Sequence, residues 1–183
     1  MFKKIYYTLI VTLLLPFSWN IEAQNQEKPV PMDHRVKAAF LVKFIKYIEW
    51  PSSNYPGEIG RFKLGVFGES PIAGNLFSIM PKAINGWQLE IIKIRTVEEC
   101  LDTHMLFLSS SEIDQYAEII NALKDSSVLT VSDTKDFLDM GGMINFLIVD
   151  EMVRFEINLK AAEKSGLKIS SRILKLARSV YKQ

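Results

Sequence analysis

The stretch GGMINFLIVDEMVRFEIN, residues 141–158, decides the fold of this chain. Its first half, residues 143–149, is apolar except at Asn145, a pattern that predicts a strand buried on both faces. In its second half apolar and polar residues alternate, which predicts a strand with one polar face. Only Asp150 and Glu151 separate the halves. Two residues are too few for a crossover helix, so we expect an antiparallel hairpin.

Strand and helix patterns alternate along the chain before that hairpin. Four further strands are predicted at residues 62–67, 88–94, 104–108 and 128–131. Helices are predicted at residues 33–50, 71–80, 109–124 and 159–166, with a last one from about residue 170 to the C-terminus. The alternation predicts an α/β fold with a layered sheet of about six strands. We expect a mostly parallel sheet that ends in the C-terminal antiparallel hairpin, with helices on both faces.

The first predicted helix is apolar almost all round. Only Lys43, Lys46 and Glu49 form a narrow polar strip on it. Such a helix packs on more than one side. Two interpretations stay open: the helix is sandwiched within the domain, or its outer side faces a second protein. The same feature suggests self-association into a homodimer.

The N-terminus has the features of a secretory signal. Lys3 and Lys4 precede an apolar run over residues 5–19, and Ala23 is a small residue at a suitable cleavage position. We predict a signal peptide over residues 1–23, a flexible leader over residues 24–32 and a single domain over residues 33–183. The alternative is an uncleaved membrane anchor, for which the run falls short of the about 20 residues that a span needs.

The chain carries few residues suited to catalysis or metal binding. Cys100 is the only cysteine, so no internal disulfide can form, and its place before an apolar strand predicts a buried, inert thiol. His34 and His104 are the only histidines, too few for a zinc site without carboxylates. The formal net charge of +1 gives no reason to expect nucleic acid. We predict no cofactor, no metal and no enzyme activity.

Two surfaces are candidates for binding. The first is formed by the loops at residues 68–70, 109–111 and 132–133, because ligands of open α/β sheets bind outside the carboxyl ends of the strands. The glycine turn there either receives an anion on the following helix or is purely structural, and Glu69 would repel phosphate. The second surface comprises Trp50, Gly141, Gly142, Arg154, Glu156 and Asn158. We add Arg172, a basic residue of the last predicted helix, to these candidate residues.

The second surface has two open interpretations of its own. Arg154 and Glu156 lie on the same strand face two residues apart, so they either pair with each other or contact a ligand or partner. Arg172 belongs to a basic face of the last predicted helix, which is either solvated or a site for an anionic ligand or acidic partner.

Several separated blocks resemble the YfiR-like family of small periplasmic proteins. They cover nearly all of the chain beyond the first two dozen residues. In chain order the blocks are KAAFLVKFIKYIEWP (37–51), FKLGVFGESP (62–71), LTVSD (129–133), GGMINF (141–146) and VRFEINLKAAEKSGLKISSRILKLA (153–177). None of the blocks contains catalytic chemistry.

The resemblance implies a dimer-forming periplasmic repressor that binds the periplasmic part of a membrane diguanylate cyclase. Repression would lower cyclic di-GMP signalling and biofilm formation. Better-known members carry cysteine pairs and are thought to be redox-sensitive, and the single Cys100 departs from them. Our first hypothesis is a non-enzymatic regulator of a membrane diguanylate cyclase or sensor kinase. The alternative is a periplasmic sensor that holds an aromatic or anionic compound near Trp50, Arg154 and Arg172.

Overall fold

The computed structural model describes residues 32–52, 60–79 and 81–182. Its helices are α1 (Met32–Tyr47), α2 (Pro71–Ile79), α3 (Val97–Cys100), α4 (Tyr116–Leu123), α5 (Leu159–Lys164) and α6 (Ser171–Leu174). Its strands are β1 (Ile48–Glu49), β2 (Arg61–Phe67), β3 (Ala83–Ile84), β4 (Trp87–Ile94), β5 (Met105–Leu108), β6 (Leu129–Ser132), β7 (Ile144–Val149), β8 (Met152–Asn158), β9 (Lys168–Ile169) and β10 (Ser179–Tyr181).

Eight of these strands form one sheet in the order β10-β8-β7-β6-β5-β2-β4-β3. Five neighbouring strands of this sheet run parallel to one another, namely β7, β6, β5, β2 and β4. Strand β10 runs parallel to β8. The β7–β8 and β3–β4 pairs are antiparallel, and β1 pairs with β9 in a separate small sheet. The α/β fold is therefore confirmed, but the sheet has eight strands and not about six. The two strands of this sheet that were not predicted are β3 and β10, which are too short to show a period.

Helices cover both faces of the sheet, and β5 shows how. Met105 and Phe107 point into one core with buried residues of α1, α2, α5 and α6. Leu106 and Leu108 point into a second core with buried residues of α3 and α4. This alternation follows from the two-residue period of a strand. The direction of strand addition reverses between β2 and β5, which places a topological switch point there.

The organising hairpin forms as predicted. Asp150 and Glu151 both have positive φ, 49° and 60°, as the two central residues of a type I′ turn require. Burial of β7 on both faces, however, holds only for its first half, and Ile148 is 52% exposed. The reason is that β6 pairs with β7 only at Ile144 and Asn145, so the rest of the hairpin extends beyond its parallel neighbour.

The last helix is much shorter than predicted. It ends at Leu174, and the chain then forms β10 beside β8. Arg178 N donates a hydrogen bond to Phe155 O at 2.8 Å, which starts this pairing. The open edge of β8 thus satisfies backbone groups of a segment whose apolar spacing is also compatible with a helix.

Other boundaries differ in smaller ways. Helix α1 begins at Met32, one residue before its predicted start at residue 33. The helix predicted after β5 begins as a 3-10 segment over Ser110–Gln115 with non-helical angles at Glu112. The predicted signal peptide and all of the predicted leader except residue 32 lie outside the described residues. Within the described ranges, each helix is too short or too polar to cross a bilayer.

Candidate partner and ligand surfaces

The loops predicted at the carboxyl edge of the sheet do meet there. Ser109 Oγ donates to the carbonyl oxygen of Glu69 at 2.5 Å, and the Glu69 N–H donates to Ser111 Oγ at 3.0 Å. Lys93 pairs with the Glu69 carboxylate, and this contact lowers the pKa of Glu69. Gly68 has a φ of +83°, and a Cβ there would lie 2.5 Å from Glu112 Cγ. The turn is therefore filled by side chains of the protein itself, which favours its structural role.

Buried polar contacts also link neighbouring strand ends at this edge of the sheet. The hydroxyl oxygen of Tyr116 lies 2.9 Å from Leu108 O, from Ser132 Oγ and from Thr134 Oγ1. Burial raises the pKa of Tyr116, so the phenol stays protonated and able to donate. These bonds join the end of β5 to the end of β6.

Trp50 belongs to the core. It is 5% exposed, its Nε1–H donates to His104 O at 2.9 Å, and its ring stands edge-on against Phe62 at 4.8 Å between centroids. Trp50 lies in the core that α1 and α2 form on one face of the sheet. Phe155 and Ile157 of β8 point into the same core, so Glu156 between them points to the opposite face. The structure thus separates these two predicted site residues.

His104 is structural as well. Its Nδ1 accepts a hydrogen bond from Lys63 N at 3.1 Å, and its ring stacks on Phe62 at 5.0 Å between centroids. Burial, followed by the charge of Lys63, lowers the pKa of His104. The imidazole is therefore held neutral as an acceptor that fixes the start of β5.

The glycine pair makes room for an aromatic ring. A Cβ on Gly142 would lie 2.2 Å from Cε1 of Phe137, and Gly141 has a φ of +97°. Both glycines are thus explained by local packing and backbone geometry. Phe137 is fully buried and stacks edge-on against Tyr116 at 5.5 Å between centroids.

A cavity of about 350 Å³ opens on the polar face of β7, β8 and β10. Asn145, Glu156 and Asn158 form its floor, because their strand neighbours point into the core on the other face. The complete lining is Asp136, Phe137, Leu138, Asp139, Asn145, Glu156, Asn158 and Tyr181. Two of the residues predicted from the sequence, Glu156 and Asn158, therefore share one site.

The side chains of the second predicted surface have separate partners. Glu156 Oε1 lies 3.6 Å from Arg178 Nη1 on the β10 side, whereas Arg154 Nη2 lies 3.7 Å from Met152 Sδ. Asn158 Oδ1 accepts from Ala161 N at 3.0 Å and so caps α5. Arg172 is exposed, with its guanidinium 5.7 Å from the centre of the Tyr47 ring.

An apolar groove of about 630 Å³ runs along the outer side of α1, next to α2. The inner side of α1 buries Leu41, Phe44 and other residues in the core, whereas Met32 on the outer side is 72% exposed. Lys43 Nζ lies 5.1 Å from the centre of the Phe40 ring. The groove is lined by Met32, Arg35, Val36, Ala39, Phe40, Val42, Lys43 and Ile79.

Cys100 is buried, as predicted. Its thiol donates to Thr96 O at 3.5 Å, and burial raises the pKa of the thiol to about 12. Among the residues that the structure describes, no three His, Cys, Asp or Glu side chains are grouped as metal ligands.

Sequence reasoning missed Asn145, Asp136, Asp139 and Tyr181 as members of the polar cavity. A signal existed only for Asn145, the single polar residue in an otherwise apolar strand. A buried amide in such a strand needs a partner, and that requirement singles it out. The aspartates and Tyr181 are placed by distant pairing, which leaves no local pattern.

Comparisons with known proteins identify the fold and a family. A family model described as YfiR/HmsC-like matches residues 34–178. A comparison with curated proteins found no match.

Two solved structures resemble the chain in fold. One is the ABC domain in complex with L-Trp from Streptococcus pneumonia, with a TM-score of 0.53 and 12% identity over 78% of this chain. The other is a conserved domain protein from Vibrio cholerae O1 biovar El Tor, with a TM-score of 0.51 and 14% identity over 78% of this chain. The matched region spans 60% of the length of each of these structures.

Proposed function

The chain belongs to the YfiR/HmsC-like family of periplasmic regulators, and on that premise we propose that it binds and represses a membrane-bound signalling protein. The partner is the periplasmic region of a diguanylate cyclase, or of a sensor kinase in the same position. With a cyclase as partner, repression lowers cyclic di-GMP and biofilm formation. The protein acts by contact and not by turnover.

The observation that carries this proposal is the apolar groove of α1. Water-exposed apolar surface gathered on one helix is typical of an interaction site, and burying it releases about 25 cal/mol per Å². Arg35 and Lys43 stand among the apolar lining of this groove. The chemistry fits an amphipathic helix with an apolar stripe and an acidic edge, which would lie along α1.

The rigid support of the groove suggests how repression works. Helix α1 packs against β8 through Phe44 on its inner side and through Phe40 at the border of the groove. The ring centres of Phe44 and Phe40 lie 5.2 and 5.1 Å from that of Phe155. A helix held this firmly can fix a flexible partner segment in one arrangement. A stimulus then relieves repression only if it binds the free and the partner-bound states with different affinity.

A matched pair of substitutions tests the groove. Ala39 lies in the groove, and Ala117 is an exposed alanine on α4, on the other side of the sheet. After crosslinking in the native cell envelope, the wild-type chain and the Ala117→Glu variant are expected to recover a membrane cyclase or kinase. Ala39→Glu is expected to lose it, because a carboxylate then faces the apolar stripe of the partner. Equal recovery by both variants would contradict the proposal.

The expected homodimer is examined with the same variants. Light scattering of the wild-type chain gives its oligomeric state. If Ala39→Glu converts a dimer to a monomer while Ala117→Glu does not, a second copy covers the groove, and the membrane partner binds elsewhere. A dimer that survives Ala39→Glu leaves the groove to the membrane partner.

A small-ligand sensor is the second candidate function, and the polar cavity favours it. One of the solved domains of similar fold is in complex with L-Trp, which is a property of that domain. For this chain, Trp50 is buried and offers little surface to a ligand, whereas Glu156 and Asn158 line an open cavity. A thermal-shift screen of soluble metabolites tests the sensor, since a ligand that binds only the folded state raises the melting temperature.

A further inference from the structure

We propose that the polar cavity of β7, β8 and β10 binds a small organic cation that carries a primary ammonium group. This inference rests on the second candidate function and specifies the chemistry of its ligand. It does not depend on the apolar groove of α1, because that groove lies with the core on the opposite face of the sheet.

The first support is an unused hydrogen-bond acceptor. Asn145 is 8% exposed and lines the cavity, and its Oδ1 has no hydrogen-bond partner within the described part of the chain. Buried polar atoms are nearly always bonded, and each exception requires an explanation. A rotation of this amide that turns Oδ1 toward the cavity would let an N–H donor of a ligand supply the missing bond.

The second support is the charge of the lining. Asp136, Asp139 and Glu156 contribute three carboxylates, and among the residues that the structure describes a basic side chain pairs with Glu156 alone, Arg178 at 3.6 Å. A concave site with an excess of one charge concentrates ligands of the opposite charge. The proposed ligand is therefore cationic, whereas the alternative hypothesis drawn from the sequence named an aromatic or anionic compound.

The third support is the spacing of these groups. In the described ranges the carboxylates are not close enough to form a metal site. Acceptors that stand apart suit a cation whose end carries several N–H donors. They suit a bare metal ion less well, because all of its ligand atoms must lie within about 2.6 Å of the ion. Tyr181 adds an aromatic ring to the lining, a further favourable neighbour for an ammonium group.

Contacts within the chain hold the walls of the cavity in place. Asn158 Nδ2 donates to Leu138 O at 3.4 Å, which ties the wall over residues 136–139 to the floor. Phe137 anchors the same wall in the core. A ligand would have little ordering to impose, which favours binding. The volume of about 350 Å³ is that of a small-molecule site.

Calorimetric titration of the mature chain with 1,4-diaminobutane and with ethanolamine tests the inference. We expect saturable binding of at least one amine, and none of succinate. Asn145→Leu is expected to abolish binding while the variant stays folded, because it removes an unpaired polar atom from a buried place. Glu156→Gln is expected to weaken binding about tenfold or more, and Glu163→Gln on the exposed side of α5 serves as the control.

Three results would overturn the inference. One is the lack of any heat of binding for both amines up to millimolar concentration. Another is amine binding that Asn145→Leu and Glu156→Gln leave unchanged. The third is binding of Ca²⁺ alone with the same dependence on these residues, which would make the cavity a metal site. Because the measurement uses the isolated chain, its failure does not bear on the recovery of a membrane partner.

Discussion

The ammonium nitrogen of Lys37 lies 2.8 Å from Oδ2 of Asp133, although 96 positions separate the two residues. Lys37 is 6% exposed, and Asp33 Oδ2 is a second, more distant acceptor at 3.7 Å. The pair joins α1 to the loop that follows β6 at the carboxyl edge of the sheet. It therefore fixes the position of the helix that carries the apolar groove.

Removal of the acceptor from this pair should destabilise the protein. Asp133→Asn leaves the buried ammonium of Lys37 with the more distant Asp33 as its carboxylate partner within the described ranges, and we expect the free energy of unfolding to fall by about 3 kcal/mol. Urea denaturation measures the change. Asp102→Asn is the control, because Asp102 is exposed and pairs with Lys63 at the surface, where the loss should stay below about 1 kcal/mol. Equal losses in the two variants would show that burial of Lys37 carries no special cost.

Two glycine substitutions should change the stability of the protein in opposite directions. Gly142→Ala places a methyl group 2.2 Å from the Phe137 ring, so we expect a loss of about 1–3 kcal/mol from overpacking. Gly74→Ala in α2 meets nothing within 4 Å, so the higher helix propensity of alanine should stabilise the protein by up to about 1 kcal/mol. Thermal denaturation of both variants measures the difference. A stabilised Gly142→Ala variant would mean that the ring of Phe137 moves without cost.

The thiol of Cys100 should be inert in the folded protein. Its pKa of about 12 leaves almost no thiolate at neutral or mildly alkaline pH, and the thiolate is the reactive species. We expect no labelling by a thiol reagent at about pH 8 under native conditions and stoichiometric labelling in denaturant. Rapid labelling of the native chain would disprove the burial of this side chain.

Protonation of His104 should destabilise the fold at acidic pH. Its folded pKa is lowered below the ordinary value of 6.5 by burial and by Lys63, so the unfolded state binds a proton first as the pH falls. The contribution of His104 is fully present above about pH 6.5 and is lost as the pH falls toward the folded pKa.

The measurement is the free energy of unfolding between about pH 7 and pH 5, compared with that of His104→Asn. Asparagine retains an acceptor for Lys63 N and does not titrate in this range. The variant should show a shallower decline of stability than the wild-type chain. Identical slopes of the free energy of unfolding against pH in the two proteins would show that His104 does not contribute to the decline.

Local patterns were sufficient for the elements that depend only on neighbouring residues. The alternation in β8 and the two-residue turn predicted the hairpin, and α5 begins where a helix was predicted from residue 159. The apolar sequence around Cys100 also predicted its burial. For the hairpin and for α5 the decisive contacts join residues that are close in the chain, so their spacing is visible in the sequence.

The sites depended on contacts between distant parts of the chain. Glu156 was expected to pair with Arg154 or a ligand, but β10 brings Arg178 to it. Trp50 was expected on a binding surface, but Phe62 and His104 enclose it. Which of several compatible partners a side chain meets is decided by the sheet order, and a one-dimensional pattern does not contain that order.

The sequence by itself determined the alternation of strands and helices, the parallel sheet that follows from it and the absence of a disulfide within the chain. Only the tertiary structure decided that the outer side of α1 carries an open groove and that Asn145 lines a polar cavity, its side-chain oxygen without a partner among the described residues. The physical reason is the separation in sequence between the residues that interact. Backbone periodicity is set within a few residues, whereas burial and charge pairing are set by strands and helices that meet across the whole chain.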